Sequence, residues 1–345
     1  MQYGVPLATV PMEAVAVEAI PVDGGPWQYE PKWDGFRCLA FKAGDTVEMR
    51  AKSGKPLGRN FPEILAMLAG LKPDRFVVDG ELVIERDGRF SFDALQMRLH
   101  PAESRIRKLA AETPACLVVF DILVAPDGSS LMAAPLNRRR AALEKLVASA
   151  GAAEQFVLSP MSREPRVAEA WLAQAGSGAL DGVVAKRLDG PYAAGERAMV
   201  KVKRRRTADC VVGGFRYLSS RREVGSLLLG LYDAAGKLNH VGFTSTIPAA
   251  ERPALTRRLE AIREPPGFTG NAPGGPSRWS TERSAEWQPL RPELVVEVRF
   301  DQVTADRFRH GATLVRWRPD KAPRQCTFDQ IAIAEPMPVS AVDGS

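Results

Sequence analysis

Charged side chains interrupt segments of this sequence that are otherwise suited to burial in a β-sheet. Four such segments are rich in β-branched and apolar residues and therefore predict strands: Phe76–Ile84 (FVVDGELVI), Cys116–Val124 (CLVVFDILV), Gly182–Lys186 (GVVAK) and Met199–Lys203 (MVKVK). A buried charge needs an opposite charge, a hydrogen bond or a bound ion to offset its lost hydration. The chain is thus predicted to form a sheet whose carboxylates and lysines face one another or a charged ligand.

The remaining pattern predicts two domains. Helices are predicted at Phe61–Leu71, Asp93–Leu99, Leu136–Ala150 and Val167–Gln174. From Asp209 onward one helix, Ala249–Ile262, interrupts five predicted strands: Cys210–Tyr217, Ser226–Tyr232, Leu238–Thr244, Leu294–Val303 and Leu314–Trp317. That count fits a small β-barrel of the oligonucleotide/oligosaccharide-binding (OB) type. We therefore expect an α+β protein, with a mixed domain at residues 1–203 and an OB-fold domain at residues 204–345.

The excess of positive charge lies in the second half of the chain. The sequence holds 47 Lys and Arg against 41 Asp and Glu, a net charge of +6. Residues 1–200 have 24 basic and 25 acidic side chains, whereas residues 201–345 have 23 and 16 and a net charge of +7. Such an excess indicates either a polyanionic partner or a solvated basic surface, and charge alone leaves both open.

Several classes of protein are disfavoured by simple features. No apolar run approaches the roughly 18 residues that span a bilayer, and the first twenty residues have no basic stretch ahead of an apolar core. The four cysteines, at positions 38, 116, 210 and 326, form no CxxC pair and predict buried free thiols in a reducing compartment. We therefore expect a cytoplasmic protein without a membrane partner, a disulfide framework or a zinc site.

The charged residues within and between the strands suggest a site for a nucleotide and a metal ion. They are Glu30, Lys32 and Arg37 in EPKWDGFR, Lys52 in KSGK, Asp79 and Glu81 in VVDGEL, Asp121 in VVFDIL, Asp181 and Lys186 in DGVVAK, Lys201 and Lys203 in MVKVK, and Arg318, Asp320 and Lys321 in RWRPDK. Each alone is typical of a solvated surface. Together, the carboxylates Glu81 and Asp181, with Asp121 as a third, are oxygen ligands suited to a divalent metal. The cations can neutralise a triphosphate, and a lysine buried among them is favoured as a neutral, nucleophilic amine.

The order of these motifs resembles that of the covalent nucleotidyltransferases, the superfamily of ATP-dependent DNA ligases, RNA ligases and mRNA capping enzymes. The resemblance spans about residues 28 to 327. The KWDG variant, FPEI after the basic loop and the ending RPDKAPRQCT are most similar to bacterial ATP-dependent DNA ligases, and the two-domain layout is similar to the small DNA ligase C type. The resemblance implies an ATP-grasp-like adenylation (nucleotidyltransferase) domain at residues 1–203, followed by the OB-fold domain.

The resemblance also implies a role for each residue of the site. Lys32 would be the nucleophile that becomes adenylated, Glu30 would contact the adenine amino group and Phe120 would stack on the base. Lys201 and Lys203 would touch the α-phosphate. The full set of implied nucleotide-binding residues is Glu30, Arg37, Lys52, Glu81, Phe120, Lys186, Lys201, Lys203, Arg318 and Lys321, and the implied metal ligands are Glu81 and Asp181. Three positions depart from the family pattern: Lys52 replaces an arginine, Asp181 a glutamate, and a tryptophan is lacking near Met199.

The activity implied is that of an ATP-dependent DNA ligase. Such an enzyme uses ATP as an AMP donor, with Mg²⁺ or Mn²⁺, and seals 5′-phosphate/3′-hydroxyl nicks through a covalent lysyl-AMP intermediate. The implied partner is nicked double-stranded DNA, with a repair polymerase or primase-polymerase as a further candidate, and the protein is expected to be a nucleoid-associated monomer in DNA repair. Two alternatives stay open at this point: an RNA ligase or GTP-dependent capping-type enzyme, and a noncatalytic nucleic-acid-binding module.

Overall fold

A computed structural model describes residues 2–86, 89–151, 154–175, 180–274, 286–304 and 306–332 of the chain. These residues divide into two compact units, and the division falls between Arg204 and Arg205. None of the described helices is both long and apolar enough to cross a membrane. Each unit is described by itself below.

The first unit contains ten strands and five α-helices. The strands are β1 (Ala14–Ala16), β2 (Trp27–Trp33), β3 (Phe36–Ala43), β4 (Thr46–Ala51), β5 (Arg75–Arg86), β6 (Arg89–Phe90), β7 (Ala115–Val124), β8 (Phe156–Leu158), β9 (Leu180–Arg187) and β10 (Met199–Lys203). The helices are α1 (Pro62–Gly70), α2 (Phe92–Met97), α3 (Glu103–Glu112), α4 (Leu136–Ser149) and α5 (Pro165–Gln174). A short 3₁₀ turn, Gly58–Asn60, precedes α1.

These strands form two mixed sheets. The smaller sheet has the order β1-β10-β9-β2, and the larger has the order β4-β3-β5-β7-β8 with β6 added beside β5. The pairs β1–β10 and β7–β8 are parallel, and the other pairs are antiparallel. The predicted α+β character of this half is therefore what the structure shows.

The alternation of side chains along β7 explains how the two sheets share the interior. Leu117 and Val119 pack into the core that the larger sheet forms with α1 and α4, whereas Val118 and Phe120 pack into a second core with the smaller sheet. Successive residues of a strand point to opposite faces of the sheet. Strand β7 is therefore apolar on both faces, and one of those faces brings Phe120 towards the smaller sheet.

The second unit contains eight strands and one α-helix. They are β11 (Arg206–Tyr217), β12 (Val224–Tyr232), β13 (Leu238–Thr244), α6 (Arg252–Glu260), β14 (Gln288–Pro289), β15 (Val295–Phe300), β16 (Val303–Thr304), β17 (Arg307–Phe308) and β18 (Thr313–Trp317). Three short 3₁₀ turns lie at Ala249–Glu251, Pro323–Gln325 and Phe328–Gln330. The main sheet has the order β13-β12-β11-β15-β18, with β14 beside β11, and β16 pairs with β17.

The predicted elements agree with this architecture in type, and most bounds shift by only a few residues. Met199–Lys203 and Leu238–Thr244 are strands with the predicted bounds. The predicted helix Ala249–Ile262 is shorter, because a 3₁₀ turn occupies its start and α6 begins at Arg252. Strand pairing over the described residues of the second unit gives an open path of five strands and not a closed barrel.

Candidate active site

A cleft lies within the first unit, between the strands that carry the predicted motifs. It is lined by β2, β3, β5, β7, β9 and β10, by the segment from Pro11 to Ala14 and by Lys52. Eight of the predicted site residues line it: Glu30, Lys32, Arg37, Lys52, Glu81, Phe120, Lys186 and Lys201. The sequence motifs are thus far apart in the chain and close in space.

Strand register explains why the lysines converge in the smaller sheet. Gln28, Glu30 and Lys32 alternate along β2 and therefore share one face. Gly182 of β9 pairs with Lys32 on one side and with Lys203 of β10 on the other. Because paired residues on neighbouring strands lie on the same face, both lysines flank a position that has no side chain. A Cβ at Gly182 would lie 2.0 Å from the carbonyl oxygen of Val202, so this close approach requires glycine.

Asp181 lies between these two lysines because of an irregularity in the strand. Lys32 pairs with Gly182 but Trp33 pairs with Leu180, so Asp181 is the extra residue of a β-bulge. A bulge redirects the side chain of its extra residue. The Nζ of Lys32 donates to Asp181 Oδ2 at 2.5 Å, and the Nζ of Lys203 lies 3.0 Å from the same oxygen.

The lysines of the cleft also act on one another electrostatically. Burial lowers the pKa of Lys201 below its ordinary value, and the positive charges of Lys32, Lys203 and Lys52 lower it further, whereas Asp181 opposes them. Lys52 is largely exposed, and its Nζ lies 3.0 Å from Glu13 Oε1. A concentration of positive charge of this kind favours an anionic ligand such as a triphosphate.

The inner end of the cleft combines an aromatic ring with a buried ion pair. Lys186 Nζ lies 2.8 Å from Glu30 Oε2 and 4.8 Å from the centre of the Phe120 ring. Glu30, Lys186 and Phe120 are each less than a tenth exposed. A buried ring beside a paired carboxylate offers a face for stacking and an acceptor for hydrogen bonds, which is what a purine base needs.

Arg37 is held by protein groups along the wall of the cleft. Its Nε and Nη2 donate to the two oxygens of Asp79 at 2.5 and 2.6 Å, and its guanidinium lies 4.6 Å from the centre of the Phe120 ring. Burial lowers the pKa of Arg37, but the charge and hydrogen bonds of Asp79 outweigh burial and raise it above its ordinary value. Tyr192 fixes this pair, because its hydroxyl donates to Asp79 Oδ2 at 2.5 Å and accepts the backbone N–H of Met12 at 3.1 Å.

Glu81 is the cleft carboxylate whose protonation is most perturbed. Burial raises its pKa to about 7, while the charges of Arg37 and Lys32 lower it and Asp79 raises it again. Glu81 lies two residues after Asp79 on the same strand, so both carboxylates lie on one face of it. A bound cation would favour the ionised form of Glu81 and release its proton.

Glu81 and Asp181 fit a divalent metal that is shared with a nucleotide. Among the described residues no group of three carboxylate, histidine or cysteine side chains lies close enough to hold a metal alone. Mg²⁺ usually keeps several waters and takes one or two carboxylates together with substrate phosphates. Asp181, which contacts Lys32, and Glu81, which lines the same cleft, match that donor set, and a bound metal would supply charge neutralisation at the phosphates.

Asp121 does not belong to the metal site, contrary to the expectation from the sequence. It lies inside β7, and its two oxygens accept hydrogen bonds from Arg139 Nε and Nη2 at 2.7 and 3.1 Å. Both side chains are 1% exposed. Arg139 also donates to the carbonyl oxygens of Ala134 and Gly190, so this pair fixes α4 and the loop before β10 to the sheet.

Replacing Arg139 by alanine should lower the free energy of unfolding by about 3–5 kcal/mol, because it removes both guanidinium hydrogen bonds to the buried charge of Asp121 and leaves only Lys186 Nζ, at 4.0 Å, as a cation nearby. Denaturant unfolding measures this loss. The matched control is Arg107→Ala, which removes an exposed pair with Glu103 and should cost less than about 1 kcal/mol. A loss below about 1 kcal/mol for Arg139→Ala would show that the pair is not structural.

The remaining predicted residues lie in the second unit. Arg318 Nη1 donates to Asp209 Oδ1 at 2.8 Å, and Lys321 Nζ lies 3.6 Å from the other oxygen of Asp209. Arg318 also pairs with Asp320, and hydrogen bonds from Arg318 lower the pKa of Asp320 to about 2. The motif RWRPDK therefore forms one local ion-pair cluster with Asp209 at its centre.

Several residues of the site were not identified from the sequence. Asp209 accepts a hydrogen bond from Arg318, and Tyr192 donates to Asp79. Gln28 donates to Glu30, and Arg139 donates to Asp121. Only Gln28 carried a usable signal, since it precedes Glu30 and Lys32 at the two-residue spacing of one strand face. The others come from segments with no distinctive pattern.

The fold and the cationic cleft define a nucleotidyltransferase. Residues 11–203 match the family model described as the ATP dependent DNA ligase domain, and residues 220–321 match the ATP dependent DNA ligase C terminal region. The chain belongs to the ATP-dependent DNA ligase family.

Individual relatives agree with this assignment. DNA ligase C1 of Mycolicibacterium smegmatis is 44% identical to the chain over 330 residues, which cover 93% of each protein. DNA ligase C of Mycobacterium tuberculosis is 40% identical over an alignment of 358 positions, gaps included, that covers 99% of this chain and 98% of that protein. A solved structure of a Lig E DNA ligase is similar in fold, with a TM-score of 0.57 and 18% identity over 90% of this chain and all of that one.

The activity follows from the family. The chain is an ATP-dependent DNA ligase that uses ATP as AMP donor together with a divalent metal, proceeds through lysyl-AMP and binds nicked DNA. The family membership that the sequence motifs indicated is therefore confirmed. The RNA ligase, capping-enzyme and noncatalytic alternatives are not supported.

Proposed function

We propose that Lys32 is the lysine that carries AMP. The observation that supports this most directly is the position of its Nζ in the cleft, 2.5 Å from Asp181 Oδ2, with 23% of the side chain exposed. Three other lysines line the cleft. Lys186 is buried against Glu30, Lys52 is largely exposed and paired with Glu13, and Lys201 forms no ion pair with a carboxylate of the described residues. Lys32 combines access from the cleft with an adjacent proton acceptor.

In the first step the Lys32 amine attacks the α-phosphorus of ATP. The new N–P bond forms as the bond to the bridging oxygen of pyrophosphate breaks, and the amine loses a proton that Asp181 Oδ2 is placed to accept. AMP then passes to the 5′-phosphate of the nick, and attack by the 3′-hydroxyl releases it. Lys201 and Lys203 are proposed to neutralise the α-phosphate in these steps.

The nucleotide itself would be oriented by the residues around Phe120. We propose that the base stacks on Phe120 with its amino group donating to Glu30, and that the ion pair with Lys186 at 2.8 Å holds the Glu30 carboxylate in place. Lys52 is proposed to contact the ribose or phosphates, and Glu81 the ribose or metal. Arg37 is proposed to act in the same region, with its guanidinium orientation set by Asp79. The test is covalent labelling, since ATP with Mg²⁺ should give a single AMP adduct.

Asp181 provides a separate test of the metal role proposed for the cleft. Asp181→Asn removes a charge at nearly constant volume, and we expect it to raise the Mg²⁺ concentration needed for adenylation by about tenfold. The measurement is the rate of AMP-adduct formation across a metal titration. Asp189→Asn, on the exposed end of the same region, is the control and should leave the titration unchanged. An unchanged titration for Asp181→Asn would contradict a metal role.

We propose that the second unit is an OB-type barrel and forms a domain at residues 204–345, after an adenylation domain at residues 1–203. The support for closure lies between the two edge strands of its sheet. Thr244, at the end of β13, forms a parallel bridge with Ala312, which immediately precedes β18. Ala312 N–H donates to Phe243 O at 2.8 Å, and Leu314 N–H donates to Thr246 Oγ1 at 2.7 Å.

The second half of the chain is proposed to bind the DNA backbone through its net charge of +7 over residues 201–345.

Arg318 and Lys321 are proposed to act on the leaving pyrophosphate in the first step. A monomer that works beside a repair polymerase or primase-polymerase, in a cytoplasmic and nucleoid-associated setting, stays a prediction from the family resemblance. Co-purification of the tagged chain with such a polymerase is its test.

A further inference from the structure

The carboxylate of Glu30 is held from two sides inside the first unit. Gln28 Nε2 donates to Glu30 Oε1 at 2.7 Å, and Lys186 Nζ lies 2.8 Å from Glu30 Oε2. Lys186 also donates to the carbonyl oxygen of Phe120 at 3.3 Å, which fixes its ammonium group. Each oxygen of Glu30 therefore has one fixed donor and keeps further acceptor capacity for a ligand.

The orientation of the Gln28 amide leaves one of its buried polar atoms without a hydrogen bond to the described part of the chain. Gln28 is fully buried, and its Oε1 has no hydrogen-bond partner among the described residues. A buried acceptor without a donor is unfavourable, because it has lost its water without a replacement. Turning the amide over would place Oε1 against the carboxylate oxygen of Glu30 and remove the hydrogen bond from Nε2. The hydrogen bond to Glu30 therefore determines which way the amide points.

We propose that Gln28 is a positioning residue that selects ATP over GTP by keeping Glu30 as an oriented, acceptor-only group. The proposal rests on the contact proposed above between Glu30 and the adenine amino group. Adenine presents an N–H₂ donor at C6, whereas guanine presents a carbonyl acceptor there. A carboxylate oxygen held at a fixed position accepts a hydrogen bond from the adenine amino group and repels the guanine carbonyl oxygen.

Loss of the Gln28 amide would weaken the selection of ATP over GTP. Glu30 Oε1 would lose its fixed donor, so the carboxyl group could rotate. A carboxylate that is free to rotate no longer presents its acceptor at one position, and it can turn away from the guanine carbonyl oxygen. Rejection of GTP therefore depends on Gln28 as well as on Lys186, although Gln28 acts only through Glu30.

The test is competition between ATP and GTP for the covalent adduct. The full-length protein is incubated with equal concentrations of both nucleotides and Mg²⁺, and the ratio of AMP to GMP adducts is measured by intact mass. Gln28→Met keeps the length of the side chain but removes the donor, and the ratio should fall about tenfold. The control is Gln155→Met, which removes a hydrogen bond to Ala115 O and should keep the wild-type ratio.

A second variant decides the question if Gln28→Met does not fold. Gln28→Glu is nearly isosteric but replaces the amide donor by a second acceptor beside Glu30 Oε1, so the fixed contact is lost and the AMP-to-GMP ratio should again fall. A folded Gln28 variant with the wild-type ratio would overturn the proposal. Glu30→Gln distinguishes failure of the contact between Glu30 and adenine from failure of the positioning role of Gln28. If Glu30→Gln also keeps the ratio, the adenine contact itself is wrong, whereas a loss confined to Glu30→Gln refutes only the role of Gln28.

Discussion

Lys32→Ala is expected to abolish both the covalent AMP adduct and the sealing of an ordinary phosphorylated nick. The reason is that no other side chain of the cleft is proposed to form the bond to phosphorus. The variant should still seal a nick whose 5′-phosphate already carries AMP, because that last step does not use the amine as nucleophile. Intact-mass analysis and a gel-based sealing assay measure the two effects.

Two further variants distinguish lost nucleophilicity from lost charge. Lys32→Arg keeps the positive charge beside Asp181 and should also fail to form the adduct. Lys201→Ala removes a cation from the same cleft but leaves Lys32 in place, so it should slow adduct formation without preventing it. A single AMP adduct on Lys32→Ala would mean that the nucleophile is misassigned.

The double variant Arg318→Ala with Lys321→Ala should reduce adenylation by about a hundredfold or more. Both cations share Asp209 in the second unit, and both are proposed to neutralise pyrophosphate as it leaves. The step that joins DNA releases AMP instead of pyrophosphate. Sealing of a pre-adenylated nick should therefore be much less affected than sealing of an ordinary nick.

Arg324→Ala is the matched control for this double variant. Arg324 lies in the same unit, donates to Gly236 O and lies over the ring of Tyr232. Its removal should leave the ratio between the two sealing rates unchanged. Equal impairment of both kinds of nick by the double variant would refute a role confined to the first step, and the second unit would then be a fixed DNA-binding platform.

The sequence predicted the strands of the motifs well, because their apolar content is high and their bounds are set by charged or turn residues. It did not predict β3, β4 or α3. The apolar side of α3 is small, with only Ile106 and Ala110 buried, so tertiary packing decides whether that segment is helical. In the second unit, β11 pairs with β15, which lies about 80 residues further along the chain, and local periodicity does not show such a pairing.

Eight of the predicted site residues line one cleft, whereas the residues that hold them in place were not predicted. The expectation for Asp121 failed because Arg139 lies on a helix 18 residues further along, and nothing in the strand pattern shows that the two meet. Asp181 faces Lys32 only because of a bulge, and a shift of one residue in register is not visible in an apolar run. The roles assigned to individual residues stay predictions.

The most direct test of the account is to locate AMP on the wild-type protein. The protein is labelled with ATP that carries a radioactive α-phosphate, digested under conditions that preserve the phosphoramidate, and mapped by peptide mass. We expect a single labelled peptide, with AMP on Lys32. Label on Lys52, Lys186, Lys201 or Lys203 instead would contradict the proposed chemistry of the cleft.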